Sequence, residues 1–302
     1  MSYDWENTFR AWAKPLSDTA QTKCENAERM IRAAIRERPT LQQHTIEVFP
    51  QGSYRNNTNV REDSDVDICV RYMDAFFSDF TFAQGFTSAD IGLTDAAYPY
   101  SQFKADVEAA LVQKFGRRGV TRGKKAFDIH ENTYRIDADV VACFEHRRYT
   151  YRRVDGSYAY QSGTEFIADD GPRIINWPQQ QYDNGVTKNT ATSRRFKAVV
   201  RIIKSLCNQM VGEGIDAAKP IPSFLIECLV WNVPNNLFVH DTYAGDVRKA
   251  LIHLYQQTKD DSPCSEWGEV SECKYLFRSG QPWTRVQANA FVVAAWQYLG
   301  FT

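Results

Sequence analysis

Apolar residues recur at helical spacing from Leu16 through Ala20, Cys24, Ala27, Ile31, Ala34 and Ile35, with charged residues between them. This predicts a long packing helix that starts near Pro15 and stops at Pro39. The period then shortens. Residues 45–49 (Thr-Ile-Glu-Val-Phe) read as a strand running into a Gly52-Ser53 turn, after which 53–57 open a short helix. Residues 65–72 alternate as a second strand. Between 73 and 99 the chain is aromatic-rich and aperiodic (Phe76, Phe77, Phe80, Phe82, Phe86), which predicts a packed surface excursion. A helix follows over 101–115, then a basic turn, then a strand over 134–144, and Asp155-Gly156 marks a hairpin.

From 163 to 189 the sequence turns Gly-, Pro- and Asn-rich, which predicts irregular chain and a boundary between a strand-rich half and a helical half. The predicted domains are 1–175, including the N-terminal packing helix, and 176–302. In the second, Phe196, Val199, Val200, Ile203, Leu206, Cys207 and Met210 trace one face of a helix over 192–210. Further helices are predicted at 223–233 and 241–257. Thr284 is placed as the cap of a last one that turns Val286, Ala290, Val293, Ala294 and Tyr298 to the core. The fold class is α+β.

The chain has 302 residues and a net charge of −1, room for one large or two medium domains and a poor match for a protein that coats long nucleic acid. No run approaches the roughly 18 apolar residues of a membrane span, and the N-terminus lacks the basic and apolar regions of a signal peptide. Seven scattered cysteines contain no C-x-x-C pair. They read as reduced, buried thiols of a cytoplasmic protein rather than a zinc site or disulfide framework.

Chemistry concentrates first at Gln51-Gly52-Ser53-Tyr54 and Asp65-Val66-Asp67-Ile68. Strand alternation puts both carboxylates on one face, where they repel unless a cation lies between them; Mg²⁺ takes a few carboxylates together with substrate phosphate oxygens. The Gly-Ser turn offers backbone N–H groups and a hydroxyl to a phosphate. A two-metal site needs a third carboxylate from a neighbouring strand, and Asp137 and Asp139 share a face of the 134–144 strand. Arg194, Lys197, Arg201 and Lys204 form a cationic stripe without an interleaved acid, a self-repulsion that an anion such as a triphosphate relieves. Two other basic stretches, 117–125 and 147–153, read equally as solvated turns; in the second, interleaved aromatics could stack on a base. Asn176 carries an amide suited to a base edge or to a turn.

Gly-Ser followed by Asp-x-Asp resembles the polymerase-beta-like nucleotidyltransferases. Val200-Arg201-Ile202-Ile203-Lys204 and Ile221-Pro222-Ser223-Phe224 resemble the phosphate-binding lysine helix and serine-aromatic helix start of the cGAS and oligoadenylate synthetase families. The pattern as a whole, with Asn184-Gly185-Val186-Thr187-Lys188-Asn189, resembles the bacterial cGAS/DncV-like nucleotidyltransferases (CD-NTases) of clade E. Asp139-Val140-Val141-Ala142 is similar to the D-h-h-P of these families, with Ala142 in place of proline, and this selects Asp139 over Asp137.

The resemblance implies a mixed twisted sheet with flanking helices, a C-terminal helical bundle of the oligoadenylate synthetase type, and a bilobed shape with a central cleft. It implies that Asp65, Asp67 and Asp139 are the catalytic, metal-holding acids for two Mg²⁺ ions, with Mn²⁺ as the substitute ion. Gln51, Gly52, Ser53, Lys204 and Ser223 would bind the triphosphate, Phe224 would stack on a base and Asn176 would favour uracil. The substrates would be nucleoside triphosphates, ATP and UTP, and the product a cyclic dinucleotide or larger cyclic oligonucleotide. That product would act on a separate effector in CBASS anti-phage defence, with no long nucleic acid or membrane needed. Two alternatives stand beside it: a terminal nucleotidyltransferase acting on RNA, tRNA or a protein, and a catalytically inactive nucleotide sensor.

Overall fold

The computed structural model describes residues 4–60 and 65–301. In chain order the elements are α1 (Trp5–Trp12), α2 (Asp18–Glu37), α3 (Pro39–Gln42), β1 (Ile46–Pro50), α4 (Gly52–Arg55), β2 (Val66–Asp79), α5 (Ser88–Ile91) and α6 (Tyr100–Phe115). The strands β3 (Val120–Arg122), β4 (Phe127–Ile129), β5 (Ala138–Arg152), β6 (Tyr158–Ile167) and β7 (Arg173–Asn176) follow. The helices α7 (Pro178–Ala191), α8 (Arg195–Gly212), α9 (Ser223–Trp231), α10 (Tyr243–Thr258), α11 (Asp261–Cys264) and α12 (Arg285–Tyr298) complete the chain.

These elements form two compact units. The described part of one comprises 17–54 and 65–178, and that of the other 4–16, 55–60 and 179–301. The sequence division at 175/176 therefore falls three residues early, and two segments from the first half join the helical unit. The N-terminal segment goes there because Phe9 and Ala13 lie in the same apolar core as α8, α9, α10 and α12. Trp5 fastens it further, donating its indole N–H to the Leu299 carbonyl at 3.0 Å.

The sheet unit is built on β2 and β5, which pair in parallel from Val66↔Ala138 onward. The strand order is β1-β2-β5-β4-β3, with β6 pairing the far half of β5 and β7 pairing β6. Every other pairing is antiparallel. Alternation on β2 gives its two faces different work. Val66, Ile68 and Val70 are fully buried, and Tyr72, in phase with them, meets Phe103 of α6 with ring centroids 5.4 Å apart. Asp67, Cys69 and Arg71 point the other way.

Several elements differ from the sequence reading. Helix α2 starts at Asp18 because the Ser17 hydroxyl caps it, accepting from the Ala20 amide at 3.3 Å. Pro39 stops α2 as expected, by forcing Arg38 into an extended conformation, and then itself opens α3. The aromatic run after Tyr72 is not an excursion at its start. Strand β2 continues to Asp79, past a bulge where Tyr72↔Phe144 is followed by Phe76↔Glu145. The stretch 163–189 holds regular structure: the end of β6, all of β7 and most of α7. Gly163 there is a strand residue pressed against its neighbours, since a Cβ would stand 2.7 Å from the Asn176 carbonyl and 3.0 Å from the Trp177 ring. In α12 the buried face is Ala288, Phe291, Val292 and Ala295; of the expected set Ala294 and Tyr298 pack half-buried against that core, while Val286 is 63 % exposed. The hairpin at Asp155-Gly156 forms as the sequence indicates, between β5 and β6.

No helix among the described residues is long and apolar enough to cross a membrane.

Candidate active site

Strand β1 delivers the chain to Gln51, whose amide donates to the Asp67 carbonyl at 2.8 Å and lays the Gly-Ser turn over β2. Gly52 has a φ of +64°, and a Cβ placed on it would lie 2.0 Å from Asp67 Oδ2. The turn therefore rests on the Asp67 side chain, and only glycine leaves room for it. Ser53 is the next residue, half-buried in α4.

Asp67 is in register with Asp139 across the parallel β2–β5 pair. Asp139 is in turn directly opposite Asp128 on β4. Cross-strand partners share a face, so Asp67, Asp139 and Asp128 form one row over three adjacent strands. Burial pushes the Asp139 carboxyl above its usual range, and the charges acting on it, from Asp65, Asp128 and Asp137, all have the same sign. Asp137 lies just before β5, and its carboxylate accepts from the Glu131 amide, so it supports a turn rather than the row.

An acid row that raises the pKa of its own member calls for a positive charge, and its hard oxygen donors suit Mg²⁺ better than a soft metal. Among the described residues no three carboxylate, histidine or cysteine side chains converge as a ready-made cage. That is compatible with Mg²⁺, which completes its shell with water and substrate phosphates rather than with protein alone. In this sense the residues fit the ion.

The helical unit places the remaining candidates. Ser223 is exposed at the first position of α9, after Pro222, and Phe224 is half-buried with its ring 6.0 Å from Trp283. Lys204 is only 2 % exposed, and its ammonium donates to Glu227 Oε2 at 3.1 Å and Thr58 Oγ1 at 3.2 Å. The cationic stripe on α8 thus has an internal acid, contrary to the reading that an outside anion must balance all of it. Glu227 lies on α9 and also accepts from Thr58 Oγ1 at 2.7 Å and Gln181 Nε2 at 3.0 Å. Arg201 is occupied as well, donating to the Ala13 carbonyl at 2.9 Å and the Asn57 carbonyl at 2.5 Å. Burial pushes its guanidinium down to about 10.

Asn176 ends β7 of the sheet unit, paired with Thr164. Three cations of the basic stretch at 117–125 are held in ion pairs: Arg117 and Arg122 with Glu108, Arg122 with Asp169 and Lys124 with Asp170. In the 147–153 segment Arg147 stacks on Phe76 at 3.8 Å and pairs with Glu145, while Arg148 stacks on Trp177 at 4.1 Å and pairs with Asp79. Sequence reasoning passed over Asp128 and Glu227. Each had a signal, a single acid inside an apolar run (Phe127-Asp128-Ile129 and Leu225-Ile226-Glu227-Cys228-Leu229).

A parallel strand pair carrying in-register aspartates under a Gly-Ser turn, with a separate helical unit, is the arrangement of a nucleotidyltransferase. Residues 183–300 match the model of the cGAS/DncV-like nucleotidyltransferase C-terminal helical domain. The chain is 50% identical over 299 residues to the cyclic dipyrimidine nucleotide synthase CdnE of Legionella pneumophila, covering 99% of each. Two solved structures share the fold over nearly the whole chain. The CdnE cyclic dinucleotide synthase of Elizabethkingia meningoseptica with GTP and Apcpp has a TM-score of 0.81 and 35% identity, covering 99% of this chain and 100% of that one. The CdnE c-UMP-AMP synthase of Rhodothermus marinus with Apcpp and Upnpp has a TM-score of 0.84 and 27% identity, covering 98% and 97%. The chain belongs to the CdnE-like group of the cGAS/DncV-like nucleotidyltransferases, enzymes that are cyclic nucleotide synthases.

Proposed function

We propose that this enzyme joins two nucleoside triphosphates, at least one of them UTP, into a cyclic dinucleotide with release of pyrophosphate. The observation that carries this is the seating of Gly52 on the Asp67 carboxylate, in register with Asp139. It puts phosphate-binding backbone against a row of acids drawn from adjacent strands.

Asp65, Asp67 and Asp139 would hold Mg²⁺ ions, with Mn²⁺ as the substitute. When bound, such ions activate the attacking ribose hydroxyl and take up charge on the departing pyrophosphate. The chain's own part is placement. The Gln51-Gly52-Ser53 turn presents N–H groups and a hydroxyl to the triphosphate, fixed by the bond from Gln51 to the Asp67 carbonyl. In the helical unit, Ser223 offers a hydroxyl and the first amides of α9. Lys204 lends positive charge from behind its bond to Glu227, and Phe224 offers a ring for a base. Asn176 offers an amide that matches the donor–acceptor edge of uracil. A second transfer after the linear intermediate turns round would close the ring.

UTP use is supported by the name of the Legionella relative and by the analogue bound in the Rhodothermus structure. The Elizabethkingia structure holds GTP, so base choice varies within the group. We place the enzyme in the cytoplasm, in anti-phage defence of the CBASS type, where the diffusing product reaches a separate effector.

The test is incubation with Mg²⁺ and labelled nucleoside triphosphates, singly and in every pair, with products separated and weighed by mass spectrometry. A phosphatase-resistant cyclic dinucleotide containing uridine is expected. Incorporation only when RNA, tRNA or a protein acceptor is added would replace this reading with the terminal-transferase one.

A further inference from the structure

Helices α10 and α12 run antiparallel. At one end Asn289 donates to Thr258 Oγ1 at 3.0 Å, and at the other the Arg248 guanidinium lies 5.7 Å from the centroid of the Trp296 ring. Between the helices is a groove of about 420 Å³. Leu251, Ile252 and Tyr255 form one wall, and Val292, Val293 and Trp296 the other.

The groove lies between two apolar stripes that the core leaves open to solvent. On α12, Val286, Ala290 and Val293 recur at helical spacing, the pattern of a packing face. Yet Val286 and Ala290 are exposed, and Val293 is half-buried in the groove wall. On α10, Ile252 is half-buried and Tyr255 is 48 % exposed. Trp296 is held in its wall by Phe301, which meets it edge-on with ring centroids 5.2 Å apart. Aromatic residues already fixed in place are effective anchors, because little ordering entropy is lost when a partner arrives.

The charge on the exposed faces of these two helices has one sign. Arg248 and Lys249 are exposed at the Trp296 end, and Lys259 is exposed just past the other end of α10. Helix α12 contains no acid, and the single acid of α10, Asp246, is buried against Arg195 and His240. Of the two acids that follow α10, Asp261 is paired with Arg285 and Asp260 is exposed, both at the end away from Trp296. A second copy of this chain is therefore a poor occupant. A two-fold contact sets each patch against itself and would bring these cations together.

We propose that the α10–α12 groove docks an amphipathic helix of another protein, its apolar face laid between the two stripes and its carboxylates against Arg248 and Lys249. Helix-in-groove recognition of this kind takes apolar anchors from one face of the incoming helix, and the charged rim sets its orientation and partner choice. None of the groove residues belongs to the acid row, the Gly52-Ser53 turn or Ser223-Phe224, so this surface adds a protein contact to the catalytic machinery.

The test uses the full chain and two fluorescein-labelled synthetic helices as probes, each as long as α12. Both carry the same leucine face; one has glutamates and the other lysines on its polar face. Binding is read by fluorescence anisotropy. The glutamate helix should bind at least tenfold more tightly than the lysine helix, and Val293→Lys should weaken it at least tenfold. Tyr255→Lys, at an exposed position, should do the same and serves as the reading if Val293→Lys melts early. Arg248→Glu should narrow or reverse the preference between the two helices. Binding of neither helix at about 1 mM overturns the proposal. So does equal binding of both helices, or binding of the glutamate helix that neither groove variant alters. Self-association of the wild type in sedimentation that Tyr255→Lys abolishes would also overturn it, by making a second copy the occupant.

Discussion

Replacing Gly52 with alanine separates the catalytic geometry from the stability of the fold. The φ of +64° alone costs an alanine about 1 kcal/mol. The added methyl would also stand 2.0 Å from Asp67 Oδ2, against ordinary contact beginning near 3.4 Å, so the carboxylate or the turn must retreat by about 1.4 Å. Misplacement on the order of 1 Å costs catalysis about 100-fold, roughly 2.7 kcal/mol of barrier. Gly92→Ala is the matched control, since Gly92 has a φ of +69° and nothing within 4 Å of its missing Cβ. Gly92→Ala should lose about 1 kcal/mol of stability in thermal melts and Gly52→Ala at least as much, because of the added clash, and only Gly52→Ala should lose turnover, measured as pyrophosphate released from nucleoside triphosphates. Turnover within threefold of wild type in Gly52→Ala would refute the claim that the turn and Asp67 act as one fitted unit.

Further substitutions probe the surroundings. Asp169 is held by Lys104 at 2.6 Å and by Arg122 at 2.7 Å, which keeps its carboxyl well below the usual carboxylate range. A depressed acid stabilises the fold above its unfolded value and loses that contribution as pH falls. Asp169→Asn should therefore cost about 1 kcal/mol at neutral pH, after allowance for solvent screening, and approach wild type in melts taken progressively below pH ~4. Glu227→Ala leaves the buried Lys204 ammonium without its carboxylate and should cost about 3 kcal/mol in denaturant melts. Adding Lys204→Met should recover part of that loss, and strict additivity would argue against the pair. Phe291→Ala should cost about 3–5 kcal/mol, whereas Val286→Ala on the exposed face of α12 should stay within about 0.5 kcal/mol.

The sheet unit was largely legible because its decisive signals are local. A period of two fixed the face of Asp67 and of Asp139, and a glycine followed by serine at the end of an alternating strand announced the turn. Where neighbours distant in sequence decide, the reading failed. Gly163 looked like loop punctuation, yet it is a strand glycine that makes room for Trp177. Lys204 looked unbalanced because its acid, Glu227, is buried in a different helix, and Arg201 because its acceptors are carbonyls of Ala13 and Asn57. The inward face of α12 was missed by one step around the helix, since small residues on both sides of Phe291 leave two stripes of similar hydrophobicity and packing selects between them. Asp128 was passed over because a three-residue strand carries too little periodicity to reveal that its acid joins the row.

The most direct test of the whole account is the product made from nucleoside triphosphates and Mg²⁺ alone, by wild type and by Asp67→Asn, resolved by mass after phosphatase treatment. A resistant cyclic dinucleotide is expected from the wild type and none above background from Asp67→Asn, whose fold should be intact because the backbone bond from Gln51 to residue 67 does not involve the altered side chain. Equal product from both proteins, or a wild-type product that appears only with a macromolecular acceptor, would contradict it.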